Sequence, residues 1–153
     1  MLRVSKLTDY GTVMMTHMAR LPERVYTATE VSAAVHIAMP TVSKMLKALA
    51  KGGLLISRRG AKGGYALARR PEEISVAEVI IAIDGPIAFT ECSGAHGLCA
   101  QEHSCTIRGN WQLINRTVKI ALSEVSLAQM IKPVTPQKFR ASSALPRSKV
   151  QVV

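Results

Sequence analysis

All three cysteines of the chain lie in one fourteen-residue stretch, CSGAHGLCAQEHSC, from Cys92 to Cys105. Two histidines, His96 and His103, fall between them. The spacing Cys92-x6-Cys99-x5-Cys105 is wider than the closely paired cysteines of zinc fingers, zinc ribbons and CxxC redox motifs. Such gaps, in a loop containing Gly and Ser, let three thiolates converge on something broader than one ion. An iron–sulfur cluster fits, because its irons are separated and soft thiolates hold them. Three thiolates leave one ligand position unassigned. The same loop supports two other chemistries, zinc in a shell of three cysteines and one histidine, and unligated thiols acting as a redox switch. An odd thiol count is a poor disulfide framework, which turns the expectation toward metal binding or redox sensing.

A second group of chemistry-bearing residues is basic. The formal net charge is +10 over 153 residues, and it is unevenly spread. Residues 1–70 carry twelve Lys/Arg against three acids, residues 71–132 four against seven, and residues 133–153 four against none. That asymmetry points the first half of the chain at a polyanion.

The elements that must position these groups are legible from apolar period and capping residues. In SKLTDYGTVMMTHMARLPE, Leu7, Tyr10, Val13, Met14, His17, Met18 and Leu21 recur at helical steps, and Pro22 closes the segment. TATEVSAAVHI opens on a Thr cap at Thr27 or Thr29, with Glu30 placed for a capping box and Val31, Ala34 and Val35 as a short apolar face. AMPTVSKMLKALAKGG is a third helix, with Pro40 in its first turn and Gly52-Gly53 at its end. Val42, Met45, Leu46 and Leu49 are its inward set; Thr41, Ser43, Lys44, Lys47 and Lys51 point elsewhere. The period then changes. Leu54–Ser57 and Tyr65–Ala68 read as strands joined by RRGAKGG. SVAEVIIAIDGP is a short helix capped by Ser75. After the cysteine loop, CTIRGNWQLINRTVKIALSEVSLAQMIK reads as one long helix. Its seam is Ile107, Trp111, Ile114, Val118, Leu122 and Val125, close to a heptad repeat. The tail from residue 133 is proline-rich, basic and without period, and is expected to be disordered.

Three helices followed by a glycine-tipped hairpin is the order of a winged helix-turn-helix. The expected fold is mainly α with a small β-hairpin wing. Residues 1–70 form the DNA-binding region. Residues 71–132 hold the short helix, the cysteine loop and the long dimerisation helix, and residues 133–153 the tail. The third helix is narrow enough for a major groove and offers Thr41, Ser43, Lys44 and Lys47. The wing offers Arg58, Arg59 and Lys62 to phosphates, with Gly63 permitting close backbone approach.

Other classes are disfavoured. No apolar run approaches a membrane span, and MLRVSKLTDYG does not read as a signal peptide, so a cytoplasmic protein with reduced thiols is expected. There is no catalytic Ser/His/Asp set, paired carboxylate or phosphate loop; GAKGG lacks the strand–loop–helix setting. No enzyme activity and no small-molecule substrate are expected. Aromatic residues are too few for a base-stacking platform, and Trp111 is expected in the seam or core. His17 and His36 lie on helical patterns and are expected to be structural.

The fragments KLTDYG, MPTVSKMLKALAKGGLL, RGAKGGYALAR, SVAEVI and AIDGPI, with a three-cysteine loop before a long helix, resemble the Rrf-two-type regulators of the IscR and NsrR kind. The resemblance runs from residue 1 to about residue 132. GPIAFTECSGAHGLCAQEHSCTIRGNWQLIN is similar to a subgroup that regulates the SUF iron–sulfur assembly system. It implies a homodimeric transcriptional regulator of double-stranded DNA, a repressor, with the long helix pairing the protomers. It also implies a 2Fe–2S or 4Fe–4S cluster near that helix that alters DNA affinity. Nitric oxide or redox sensing through the same loop is one alternative, and a zinc-stabilised DNA-binding protein without a sensing role is another. Two departures bear on the ligands. Six residues separate the first two cysteines here, against five in IscR- and NsrR-like proteins. The IscR-like histidine three residues after the last cysteine is Arg108 here. In the NsrR-like pattern the fourth ligand is the aspartate of TDY, supplied by the partner protomer, and Asp9 stands in that place. His96 and His103 are its rivals.

Overall fold

The computed structural model describes residues 4–60, 62–93, 99–100 and 104–133. The Cys92 side chain, His96, His103 and the tail from 134 onward lie outside the described residues.

Three helices come first: α1 (Lys6–Ala19), α2 (Ala28–Val35) and α3 (Met39–Lys51). Ser5 caps α1, its hydroxyl accepting from the Thr8 N–H at 3.0 Å. Thr27 caps α2 in a full capping box with Glu30, whose carboxylate also takes the Arg24 guanidinium at 2.8 Å. His36 ends α2 at φ 55, the one non-glycine residue with positive φ among those described. That left-handed step turns the chain sharply into α3. Pro40 sits in the first turn of α3, where an N–H has no helical partner to lose. The four inward positions expected of α3 are its buried residues. On α2, Val31 is buried but Ala34 is exposed, because the helix covers the core over only one narrow stripe.

The wing is β1 (Leu55–Arg58) against β2 (Gly64–Leu67), antiparallel, with Leu55 opposite Leu67 and Arg58 opposite Gly64. Each strand lies one residue from its expected bounds. Leu54 instead packs in the core, its N–H bonded to the Leu49 carbonyl, and Ala68 returns a bond to Leu54. Tyr26 adds a two-bond bridge to Tyr65, which fastens β2 to the segment leading into α2.

A short turn of 3-10 helix, Pro71–Glu73, leads to α4 (Val76–Asp84), capped by Ser75 with Glu78. A Cβ on Gly11 would collide with the Ile83 side chain, so α1 and α4 meet through a glycine. A second 3-10 turn, Glu91–Ser93, precedes the loop, and α5 (Arg108–Ser123) and α6 (Leu127–Ile131) follow it.

The single long helix expected here is two. α5 stops at Ser123, and Ser126 opens α6 with its own capping box to Gln129. Between them the chain crosses back to the body. The Val125 carbonyl accepts from the Val76 N–H at 2.8 Å, and the Leu127 N–H donates to Ile74 at 2.9 Å. Leu127 is fully buried, and α6 packs on α1. Burying Leu127 is worth about 2 kcal/mol, which offsets ending the helix early. The core is otherwise built on Met14, Met15 and Met18 of α1 and Met45, Leu46 and Leu49 of α3.

Candidate nucleic-acid interface and cysteine loop

Lys44 and Lys47 are exposed on α3, and Thr41 and Ser43 beside them are half-buried. Arg58, Arg59 and Lys62 are exposed on the wing. The ion pairs among the described residues are Arg24–Glu30, Arg69–Glu78 and Arg70–Glu73, so none of these five cations is engaged by an acid. The reason is local composition: residues 36–70, which carry α3 and the wing, contain no Asp or Glu. The wing turn is tight. A Cβ on Gly63 would sit 2.5 Å from the Arg58 carbonyl oxygen, so only glycine lets the strand re-enter after the basic tip. His17 is structural in the way expected, its ring edge-on to Tyr26 at 5.5 Å. His36 is exposed at the α2–α3 turn rather than part of the core.

Cys99 and Cys105 are free and half-buried. Cys105 lies at the head of α5, where its carbonyl accepts from the Arg108 N–H at 3.4 Å. The Glu91–Ser93 turn, whose backbone includes Cys92, packs against α5. Two of the three cysteine positions are thus brought to α5 by the backbone. Among the described residues no three His, Cys, Asp or Glu side chains gather as a metal site.

Asp9 is exposed in the first turn of α1. It lines a groove with Val76 and Ile80 of α4 and Leu122 of α5. Leu122 is near the end of α5 and Cys105 precedes its start. At 1.5 Å per residue the helix holds these ends about 21 Å apart. Within one chain, Asp9 belongs to the end of α5 remote from Cys105.

The expected seam residues Trp111, Ile114, Val118 and Leu122 fall within about 80° of one another around α5. Trp111, Val118 and Leu122 are half-buried on the side toward α4. Ile114, at the edge of that stripe, is exposed, and Leu113 and Ile120 are exposed on a second face roughly 150° away around the helix. Ile107 is the N-cap of α5, and Val125 lies in the link to α6. Leu113 and Ile120 were not in the sequence-derived seam. The signal for them is the seven-residue step Leu113–Ile120.

The three-helix core, the hairpin wing and the acid-free basic face define a winged helix-turn-helix transcriptional regulator. Residues 4–133 match the Rrf2 family, described as iron-dependent transcriptional regulators, and the chain belongs to that family. The transcriptional regulator IscR of Photorhabdus laumondii is 30% identical over 130 residues, covering 82% of this chain and 79% of that protein. The rrf2 protein of Nitratidesulfovibrio vulgaris is 26% identical over 132 residues, covering 86% and 88%. Among solved structures, CymR, the global cysteine regulator of B. subtilis, superposes with a TM-score of 0.67 at 25% identity, over 86% of this chain and 97% of that one. T. potens IscR gives 0.64 at 26% identity, over 85% and 86%. These relatives are regulators rather than enzymes. Among the described residues no helix is long and apolar enough to cross a membrane.

Proposed function

We propose that the chain is a homodimeric, cytoplasmic repressor that senses iron–sulfur cluster status and controls SUF iron–sulfur assembly genes. The observation that carries the sensing is the placement of Cys105 and the Cys92 turn against α5, with Cys99 and Cys105 left as free thiols. Three soft sulfur donors fit a cluster. IscR relatives and the family's iron dependence support the same reading. Cys92, Cys99 and Cys105 would hold the cluster. A bound cluster supplies a labile, redox-responsive tie between the loop and its surroundings.

The chain's own residues do the rest. Thr41, Ser43, Lys44 and Lys47 of α3 enter the major groove, and Arg58, Arg59 and Lys62 meet phosphates beside the close turn at Gly63. The exposed face of α5 meets its symmetry mate, covering Leu113 and Ile120. An antiparallel pairing of two α5 helices carries one protomer's Asp9 toward the other's cysteines. Asp9 then offers the fourth position a carboxylate, a harder and weaker donor to iron than a thiolate.

A second reading, redox or nitric oxide sensing through the same loop, draws support from the free thiols and the likeness to CymR. Counting iron, sulfide and zinc on anaerobically purified protein, with visible absorbance, tests the proposal. Comparable iron and sulfide, and a visible band lost in each Cys→Ala variant, are expected. Zinc without a visible band, or colourless metal-free protein whose thiols oxidise reversibly, would overturn it.

A further inference from the structure

The apolar residues of α3 divide sharply. Val42, Leu46 and Leu49 are 0% exposed and Met45 is 2% exposed, whereas Met39 is 41% exposed. Met39 is the first residue of the helix, and its neighbours Ala38 and Pro40 are exposed too. The first turn carries no acid, and the first cation of α3 is Lys44, one turn further on. The leading tip of α3 is therefore apolar and uncharged, ahead of a basic flank.

We propose that Met39 reads the C5-methyl group of a thymine in the operator. The proposal rests on the assignment of α3 as the helix that enters the major groove. Residues at the N-terminal end of such a helix reach base edges. The thymine methyl is the one apolar feature that any base pair shows in that groove. A phosphate or a hydrogen-bonding base edge gives a thioether nothing to match, and Arg58, Arg59 and Lys62 of the wing already serve the anionic backbone. Methionine suits the contact because it is unbranched, polarisable and able to adjust to a small apolar target. Exposure in the free protein means that docking removes both the Met39 side chain and the methyl from water. One methyl withdrawn in this way corresponds to about a 4-fold change in affinity per half-site.

The test uses the full chain and a duplex selected with it from a random pool. Each thymine is replaced singly by uracil, which removes only the methyl group, and affinity is read by fluorescence anisotropy at fixed salt. At one thymine per half-site the wild-type protein should lose about 4-fold. Met39→Ala should bind the thymine and uracil duplexes equally, and Met39→Leu should keep most of the difference. A methyl penalty of the same size in Met39→Ala, or no penalty at any thymine in the wild type, would overturn the role of Met39 while leaving DNA binding intact. Failure to select any duplex would instead overturn the assignment of α3, and this proposal with it.

Discussion

Thr8 and Asp84 are joined by a 2.6 Å hydrogen bond, the threonine hydroxyl donating to the carboxylate across 76 residues of sequence. The Ser5 hydroxyl donates to the other carboxylate oxygen at 2.8 Å. Asp84 ends α4, where the helix dipole disfavours an anion, but it lies over the first turn of α1, where the dipole favours one. The clamp ties the turn that carries Asp9 to the helix that leads into the cysteine loop. Asp84→Ala strands the buried Thr8 hydroxyl and should cost about 2–3 kcal/mol. Urea unfolding should show a lower midpoint at unchanged slope; an unmoved midpoint would refute the clamp.

The wing arginines are predicted to act on phosphate. Arg59→Ala should weaken binding about equally for all duplexes and reduce the slope of log affinity against log salt by about 1. Lys44→Ala, on the helix placed in the major groove, should also change preference between duplexes. A variant with the wild-type salt slope would remove Arg59 from the interface.

The two faces of α5 predict different outcomes for the same kind of substitution. Ile120→Glu, on the exposed face, should give a monomer with wild-type circular dichroism at micromolar concentration. Val118→Glu, half-buried toward α4, should lower thermal stability whether or not the chain dimerises. Sedimentation velocity separates the cases, and an Ile120→Glu dimer would exclude that face from the interface.

Much of this organisation was legible in the sequence, and the exceptions have physical reasons. Strong period and local caps placed α1 to α4 well: Thr27 with Glu30 and Ser75 with Glu78 are short-range signals that tertiary packing did not override. The break after Ser123 was also written locally, since Ser126 and Gln129 form the same kind of box. The apolar run across it masked that box. The Thr8–Asp84 clamp had no local signature, because it depends on Gly11 letting α4 approach α1. The second apolar face of α5, Leu113 with Ile120, was missed for a related reason. Period shows that a face is apolar, but not whether α4 or another molecule covers it.

Three capping or paired glutamates contribute to the acid limb of stability. At Glu78, burial pushes the carboxyl up, but Ser75 backbone and side-chain bonds and the Arg69 guanidinium outweigh it and hold the net value below the usual 4.5. The Thr27 backbone bond lowers Glu30, and the Arg70 side chain lowers Glu73. A depressed folded value means the unfolded chain takes the proton more readily. The stability these groups contribute is present above pH 4.5 and lost as pH falls through the lowered values. Melting temperature should therefore drop on acidification below pH 4.5, and less steeply in Glu78→Gln. An equal drop in that variant would assign the acid limb elsewhere.

The most direct measurement follows DNA affinity and visible absorbance together in one anaerobic sample while the cluster is stripped. On this account affinity for the selected duplex shifts by about 10-fold or more as the visible band bleaches, the size of an ordinary coupling between two sites. Cys105→Ala should start and stay at the bleached value. An affinity that holds constant through complete bleaching would contradict the account, leaving a DNA-binding regulator whose cysteine loop does not govern it.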